Sequence, residues 1–197
     1  LGVARKIQSG HDLTLVGWGN TVGICEQTAT ALEQAGIATD IIDLRSISPW
    51  DQKLVLSSVE KTARLIVVHE DNQTCGLGAE VIATVAEKAK LPVAMRRVTR
   101  SDTHVPCNFP NQTLILPGFK RTLAAAAELL DLDLKWEEKS APSDGSTFIE
   151  AIGSGPADES IEIVELYVAT GQQLRRGDVV ASVEATKRVF DITCSVA

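Results

Sequence analysis

The sequence predicts an α/β domain, built on an open and mostly parallel sheet with helices on both faces, followed by a small all-β module. Three observations carry that reading. Across the first two-thirds of the 197 residues, short runs rich in β-branched residues alternate with segments of helical apolar period. One run, Leu65-Ile66-Val67-Val68, is apolar on both faces, which suits a strand in the middle of a parallel sheet. After residue 147 the helical period does not return, and only short alternating runs remain.

Leu13 to Val16 reads as the first strand. Val22, Cys25, Ala29 and Leu32 then fall on one face of a helix that Gly36 ends. Ile37 to Leu44 reads as a second strand, and Trp50 to Val59 as a short helix after Pro49. Leu65 to Val68 is the third strand. Ile82, Val85, Ala86 and Ala89 give the stripe of the next helix, Val93 to Val98 a fourth strand, and Pro117 opens a last helix with Phe119, Leu123, Ala126 and Leu130 on its buried side. The tetrad Ala124 to Ala127 suits close helix packing. Alternation of strand and helix at this spacing implies right-handed crossovers and parallel strands.

Residues 1–135 therefore form the α/β domain. Residues 136–147 are polar, hold Pro and Gly without an apolar period, and read as a linker. Residues 148–197 form the β module, with strands expected at 148–152, 161–168, 179–184 and 189–193 and turns at Thr170-Gly171 and Arg176-Gly177-Asp178.

The formal net charge is −7 with acids and bases interspersed, so no basic stripe offers itself to nucleic acid. No window has the length of a membrane span, and the first residues lack the apolar core of a signal peptide, so a cytoplasmic protein is expected. Four scattered cysteines and three histidines give neither a zinc spacing nor a disulfide framework.

Gly17-Trp18-Gly19-Asn20-Thr21-Val22-Gly23 resembles a dinucleotide loop, with Asp40 or Asp43 as the ribose acid, but Val22 stands where the third glycine is needed. A plain strand-to-helix turn is the reading retained. His69-Glu70-Asp71 lies at the expected end of the third strand, where sites form in open α/β sheets. With no nucleophile spaced to suit it, a polar strand end tied to neighbouring loops or to a partner subunit is favoured over catalysis. Cys75 sits in a glycine-rich turn before a helix and reads as part of that turn.

Four stretches, VGWGNTVGICEQTATALEQAGIATDIIDLRSISPWD, LIVVHEDNQTCGLGAEV, RRVTRSDTHVP and LPGFKRTL, resemble in order and spacing the C-terminal domain of the β subunit of thiamine-diphosphate-dependent 2-oxo acid dehydrogenases. The likeness covers residues 1–136. Asp43 to Pro49 and the His69-Glu70 pair look most like the pyruvate and branched-chain members, with transketolase and deoxyxylulose-phosphate synthase as rival families. The resemblance implies a transketolase C-terminal-like fold. It also implies a coenzyme bound by domains outside this chain, no catalytic residue within it, and His69, Glu70 and Asp102 as supports of fold and interface. Implied partners are an α subunit or α-type domain, a second β subunit in a homo-oligomeric pairing, and the dihydrolipoyl acyltransferase component.

The tail from Ile161 onward resembles lipoyl and biotinyl domains through the Gly171 turn, the Gly177-Asp178 turn, and Glu184 three residues before Lys187. That likeness implies lipoate on Lys187 at a hairpin tip, with biotin or an unmodified lysine as the alternatives, because Thr186 and Arg188 replace the usual neighbours. The resemblance covers only the first part of such a domain, so the chain is expected to be a fragment of a longer enzyme. That parent enzyme would decarboxylate a 2-oxo acid and reductively acylate a lipoyl group, while this fragment alone would be inactive.

Overall fold

In the computed structural model, which describes residues 1–133, 149, 162–185 and 188–194, the chain divides into two units, Leu1–Leu134 and Lys135–Ala197. The first unit holds five strands: β1 Arg5–Gln8, β2 Leu13–Gly17, β3 Thr39–Asp43, β4 Arg64–Asn72 and β5 Ala94–Arg100. They lie in the order β1-β3-β2-β4-β5. The last four are parallel, and β1 closes one edge antiparallel to β3. Helices α1 Thr21–Gln34, α2 Gln52–Thr62, α3 Leu77–Lys88, α4 Phe109–Ile115 and α5 Phe119–Leu130 complete the unit. This is the expected α/β class with a mostly parallel sheet.

The two-residue period of the strands sorts their side chains between two cores. Leu13, Leu15, Ile41, Ile66 and Val68 pack with Cys25, Ala29 and Leu32 of α1 and with Leu123 and Ala126 of α5. Val16, Ile42, Leu65 and Val67 pack on the other face with Val55 and Val59 of α2 and with Val81 and Val85 of α3. Leu65, Ile66, Val67 and Val68 are all fully buried, as a central strand requires. At roughly 1.5–3 kcal/mol for each such side chain, this strand is a main source of the unit's stability.

Several boundaries differ from the sequence reading, each for a local reason. Strand β3 begins at Thr39 rather than Ile37 because the Ile37 amide donates to the Leu32 carbonyl and closes α1. Helix α2 begins at Gln52 because the Asp51 carboxylate caps it, accepting from the Leu54 amide at 3.0 Å, while Trp50 is buried ahead of the helix. The buried stripe of α3 is Gly78, Val81, Thr84 and Val85, one position back from the expected stripe, and Ala86 is exposed. Strand β1 and helix α4 were not visible in the apolar pattern.

A buried polar hub ties β1, β3 and α2 together. The Asp40 carboxylate is fully buried and accepts from Lys61 Nζ at 2.8 Å, Ser58 Oγ at 2.5 Å, the Gly10 amide at 2.7 Å and Lys6 Nζ at 3.1 Å. Burial pushes its pKa up, but the hydrogen bonds from Lys61, Ser58, Gly10 and Lys6 together win and hold it down to about 2. Thr14 extends the network to Ser58 and Thr62, each at 2.8 Å. Asp40 is thus committed inside the fold, which removes it as a ribose-binding acid.

The second unit contains an antiparallel sheet of β6 Glu162–Leu166, β7 Val179–Ala185 and β8 Arg188–Thr193, with β7 in the middle. Ala181, Ser182 and Val183 of β7 are buried. The turn into β7 is fixed by Gly177, whose φ of +96° suits glycine, and by the Asp178 carboxylate, which accepts from the Arg175 amide at 2.7 Å. Lys187, segment 136–147 and most of the strand expected at 148–152 lie outside the described residues.

Candidate functional site

The carboxyl ends of β2, β4 and β5 carry three loops: Trp18–Asn20, Gln73–Gly76 and Ser101–Val105. Alternation along β4 decides where its last side chains go. His69 shares the face of Leu65 and Val67 and is fully buried toward α3. Glu70, on the opposite face, is exposed at the start of α1, with Asn20 Nδ2 at 3.5 Å.

The His69 ring lies parallel to the half-buried Trp18 indole, with centroids 5.2 Å apart and planes at 12°. The first turn of α3 also closes on the ring. A Cβ on Gly78 would stand 2.3 Å from His69 Nε2, and one on Gly76 would stand 2.8 Å from Cε1 and 2.2 Å from the Asn72 carbonyl oxygen. These glycines are required by close approach and let the helix start directly against the imidazole. On α3 it is Gly78 rather than Ala86 that faces inward.

Neither ring nitrogen of His69 has a hydrogen-bond partner among the described residues, and Asn72 Oδ1 is likewise buried and unpartnered among them. Burial lowers the His69 pKa, Asp71 opposes that by its charge, and Arg97 adds to the lowering. The imidazole is held neutral as a flat packing element. No nucleophile is hydrogen-bonded to it, so it forms no acid–base pair.

Asp102 does different work. Its carboxylate accepts from Thr74 Oγ1 at 2.6 Å and from the Thr74 amide at 2.9 Å, and these two bonds lower its pKa. The loop after β5 is thereby fastened to the loop after β4. Arg97 reinforces the clamp by donating to the Gln73 carbonyl at 2.5 Å, and Arg100 by donating to the carbonyls of Glu70 and Thr103. The clamp borders an open groove of about 750 Å³ lined by Asn72, Thr74, Arg100, Asp102 and His104 among others. Cys75 is exposed in the same turn, with φ +61°.

The structure brings His69, Glu70 and Asp102 to one end of the sheet but not into one constellation. His69 is internal, Glu70 faces outward, and Asp102 serves a loop. The residues that sequence reasoning missed here are Trp18, Gly76 and Gly78, whose only early signal was the glycine pair two residues apart before a helix. At the β2–α1 turn, Thr21 Oγ1 donates to the Val68 carbonyl at 2.8 Å and would meet a Gly17 Cβ at 2.9 Å. A threonine thus fills the turn that a dinucleotide loop would leave open. No group of three His, Cys, Asp or Glu among the described residues is placed to hold a metal ion.

Residues 2–116 match the model of the family described as transketolase, C-terminal domain. The chain belongs to that family. Within it, the α/β unit is homologous to the β subunits of 2-oxo acid dehydrogenases. It is 38% identical over 130 residues to 2-oxoisovalerate dehydrogenase subunit beta 2, mitochondrial, of Arabidopsis thaliana, covering 62% of this chain and 36% of that protein. It is 42% identical over 108 residues to the pyruvate dehydrogenase E1 component subunit beta of Acholeplasma laidlawii, covering 54% and 33%. The chain spans about a third of the length of these relatives. Among solved structures it resembles a split gene transketolase, an inactive beta4 tetramer, with a TM-score of 0.60 and 25% identity over 66% of this chain and 43% of that one. The transketolase C-terminal-like fold expected from the sequence is the fold observed.

Proposed function

We propose that this transketolase C-terminal domain is the assembly and docking part of the decarboxylating β component of a 2-oxo acid dehydrogenase. The observation that carries the reading is the likeness of the α/β unit, at 38–42% identity, to β subunits of two such enzymes. The site geometry supports it from the other side. The carboxyl end of the sheet is spent on a loop clamp and a buried neutral histidine, and it offers no catalytic pair. In this reading the thiamine diphosphate that supplies the decarboxylation chemistry is held by other parts of the parent enzyme.

The partners in this reading are an α subunit, a second β subunit and the dihydrolipoyl acyltransferase. His69 and the Thr74–Asp102 clamp stiffen a surface that those partners meet. Lipoate on Lys187 is the finer part of the proposal, supported by the turn residues Gly171, Gly177 and Asp178 and by Glu184 in the tail sequence. A tethered lipoyl group would hold the acyl acceptor at an effective concentration on the order of mM.

The test compares this chain alone with the parent enzyme that contains it, both supplied with thiamine diphosphate and magnesium. The chain alone shows no 2-oxo acid decarboxylation and the parent does; turnover by the isolated chain would end the proposal. The likeness to the split gene transketolase favours a second reading, in which the parent acts on sugar phosphates.

A further inference from the structure

Strand β5 ends the sheet, so one side of its backbone has no neighbouring strand among the described residues. In a parallel ladder, successive residues turn both of their backbone groups alternately toward the partner strand and away from it. The Ala94 amide donates to the Ala63 carbonyl on the β4 side, which leaves the amides and carbonyls of Met95, Arg97 and Thr99 facing outward. Two of those carbonyls are already taken. Arg96 Nη1 donates to the Met95 carbonyl at 3.1 Å, and Arg121 Nη2 donates to the Thr99 carbonyl at 2.7 Å. The edge therefore offers the amides of Met95, Arg97 and Thr99 but only the carbonyl of Arg97, none of them hydrogen-bonded among the described residues.

The side chains carry the same bias toward donors. Strand β5 reads Ala-Met-Arg-Arg-Val-Thr-Arg, with no acid, although the chain as a whole has a net charge of −7. Arg96, Arg97, Arg121 and Glu128, with Ala124 and Ala125, line a recess of about 360 Å³ beside the edge. The Arg96–Glu128 ion pair at 2.6 Å is exposed on both sides and therefore weak, so the guanidinium can exchange it for another carboxylate. Arg97 spends Nη1 on the Gln73 carbonyl and keeps its other donors. Charge on a sheet edge deters aggregation whatever its sign. An excess of donors in backbone and side chains alike goes further and selects an occupant rich in acceptors. A second copy of β5 would bring the same arginines and be repelled.

We infer that the outer edge of β5 is a strand-addition site for an acidic, extended segment of a partner protein. Such a segment exchanges both backbone bonds with Arg97, as an antiparallel strand does, and its carboxylates meet Arg96 on one face of the sheet and Arg97 on the other. The site does not depend on which reaction the parent enzyme performs.

Fluorescence anisotropy of a labelled peptide of alternating Glu and Val, titrated with the full chain, tests it, and amide hydrogen exchange locates the contact. The peptide binds saturably and slows exchange at Met95, Arg97 and Thr99. Arg96→Ala weakens binding about tenfold. Proline in place of the central valine of the peptide keeps every charge, removes the amide that pairs with the Arg97 carbonyl, and weakens binding at least as much. A peptide of alternating Lys and Val does not bind, and added salt weakens the acidic one. Absence of binding by the acidic peptide, equal binding of its proline form, or protection confined to amides outside β5 overturns the inference.

Discussion

Replacing Gly78 by alanine sets helix propensity against packing, and the structure decides the sign. Alanine is favoured over glycine in a helix by up to about 1 kcal/mol, and somewhat less here because Gly78 is the second residue of α3. Against that gain, the new methyl would lie 2.3 Å from His69 Nε2, 2.5 Å from Cδ2 and 3.4 Å from Val67 Cγ1. A relaxed contact needs about 3.5–4.0 Å, so the ring or the helix must move by more than an ångström. The Trp18 indole stacked on the ring limits how far the ring can shift. Overpacking of this kind costs about 1–3 kcal/mol, and the depth of the overlap places this case at the upper end. The net expectation is a loss of about 2 kcal/mol, or about 6–10 °C in melting temperature for a unit of this size. Calorimetry of Gly78→Ala measures it directly. Adding His69→Ala in the same chain makes room for the methyl, so the double variant loses less than the sum of the two single losses. A Gly78→Ala protein that melts at or above the wild-type temperature would refute the close packing of α3 on His69.

Other expectations follow from the same geometry. The Asp40 pKa is depressed from 3.8 to about 2, so its ionised form contributes about 2 kcal/mol that is present above pH 4 and is lost as pH falls through about 2. Urea unfolding of Asp40→Asn against wild type therefore shows a gap at pH 7 that narrows toward pH 2; a gap independent of pH would contradict the hub. The His69 pKa is also depressed below 6.5, so its contribution is present above about pH 6.5 and declines as pH falls below that value. His69→Leu should flatten the pH dependence of stability in that window. Asp102→Asn should quicken amide exchange across Gln73–Gly76 with little change in melting temperature, since its bonds fasten one exposed loop rather than the core. Intact mass with peptide mapping of the parent enzyme, expressed with its own lipoylation machinery, should show a lipoyl increment on Lys187; an unmodified lysine makes the tail a docking module.

What could be read in advance was whatever buries apolar side chains with a regular period. Leu65 to Val68 announced a central strand because both of its faces are covered, and Cys25, Ala29 and Leu32 announced α1. Strand β1 escaped notice because Arg-Lys-Ile-Gln at a sheet edge needs little apolar surface, and α4 because seven residues hold barely two turns. The stripe of α3 was displaced by one position because the pattern counted alanines as core and gave no weight to a glycine, whereas the space beside His69 admits only a glycine. The site was legible as a place and not as an arrangement. His69, Glu70 and Asp102 could be located at strand ends, but that a histidine directly before an exposed acid is buried against Trp18 depends on contacts between segments about 50 residues apart. The Asp40 hub was hidden for the same reason. Lys6, Ser58 and Lys61 have no sequence spacing that betrays a common partner, and only the crossover of α2 over β3 brings them together.

The central claim is that this domain serves an enzyme acting on 2-oxo acids. Steady-state turnover by the full-length assembled parent enzyme, with thiamine diphosphate and an artificial electron acceptor, tests it most directly when pyruvate and a branched-chain 2-oxo acid are set beside a ketose phosphate with an aldose phosphate acceptor. The account predicts oxidative decarboxylation of a 2-oxo acid and no ketol transfer. Ketol transfer between sugar phosphates without 2-oxo acid oxidation would contradict it and move the parent enzyme to the transketolase side of the family.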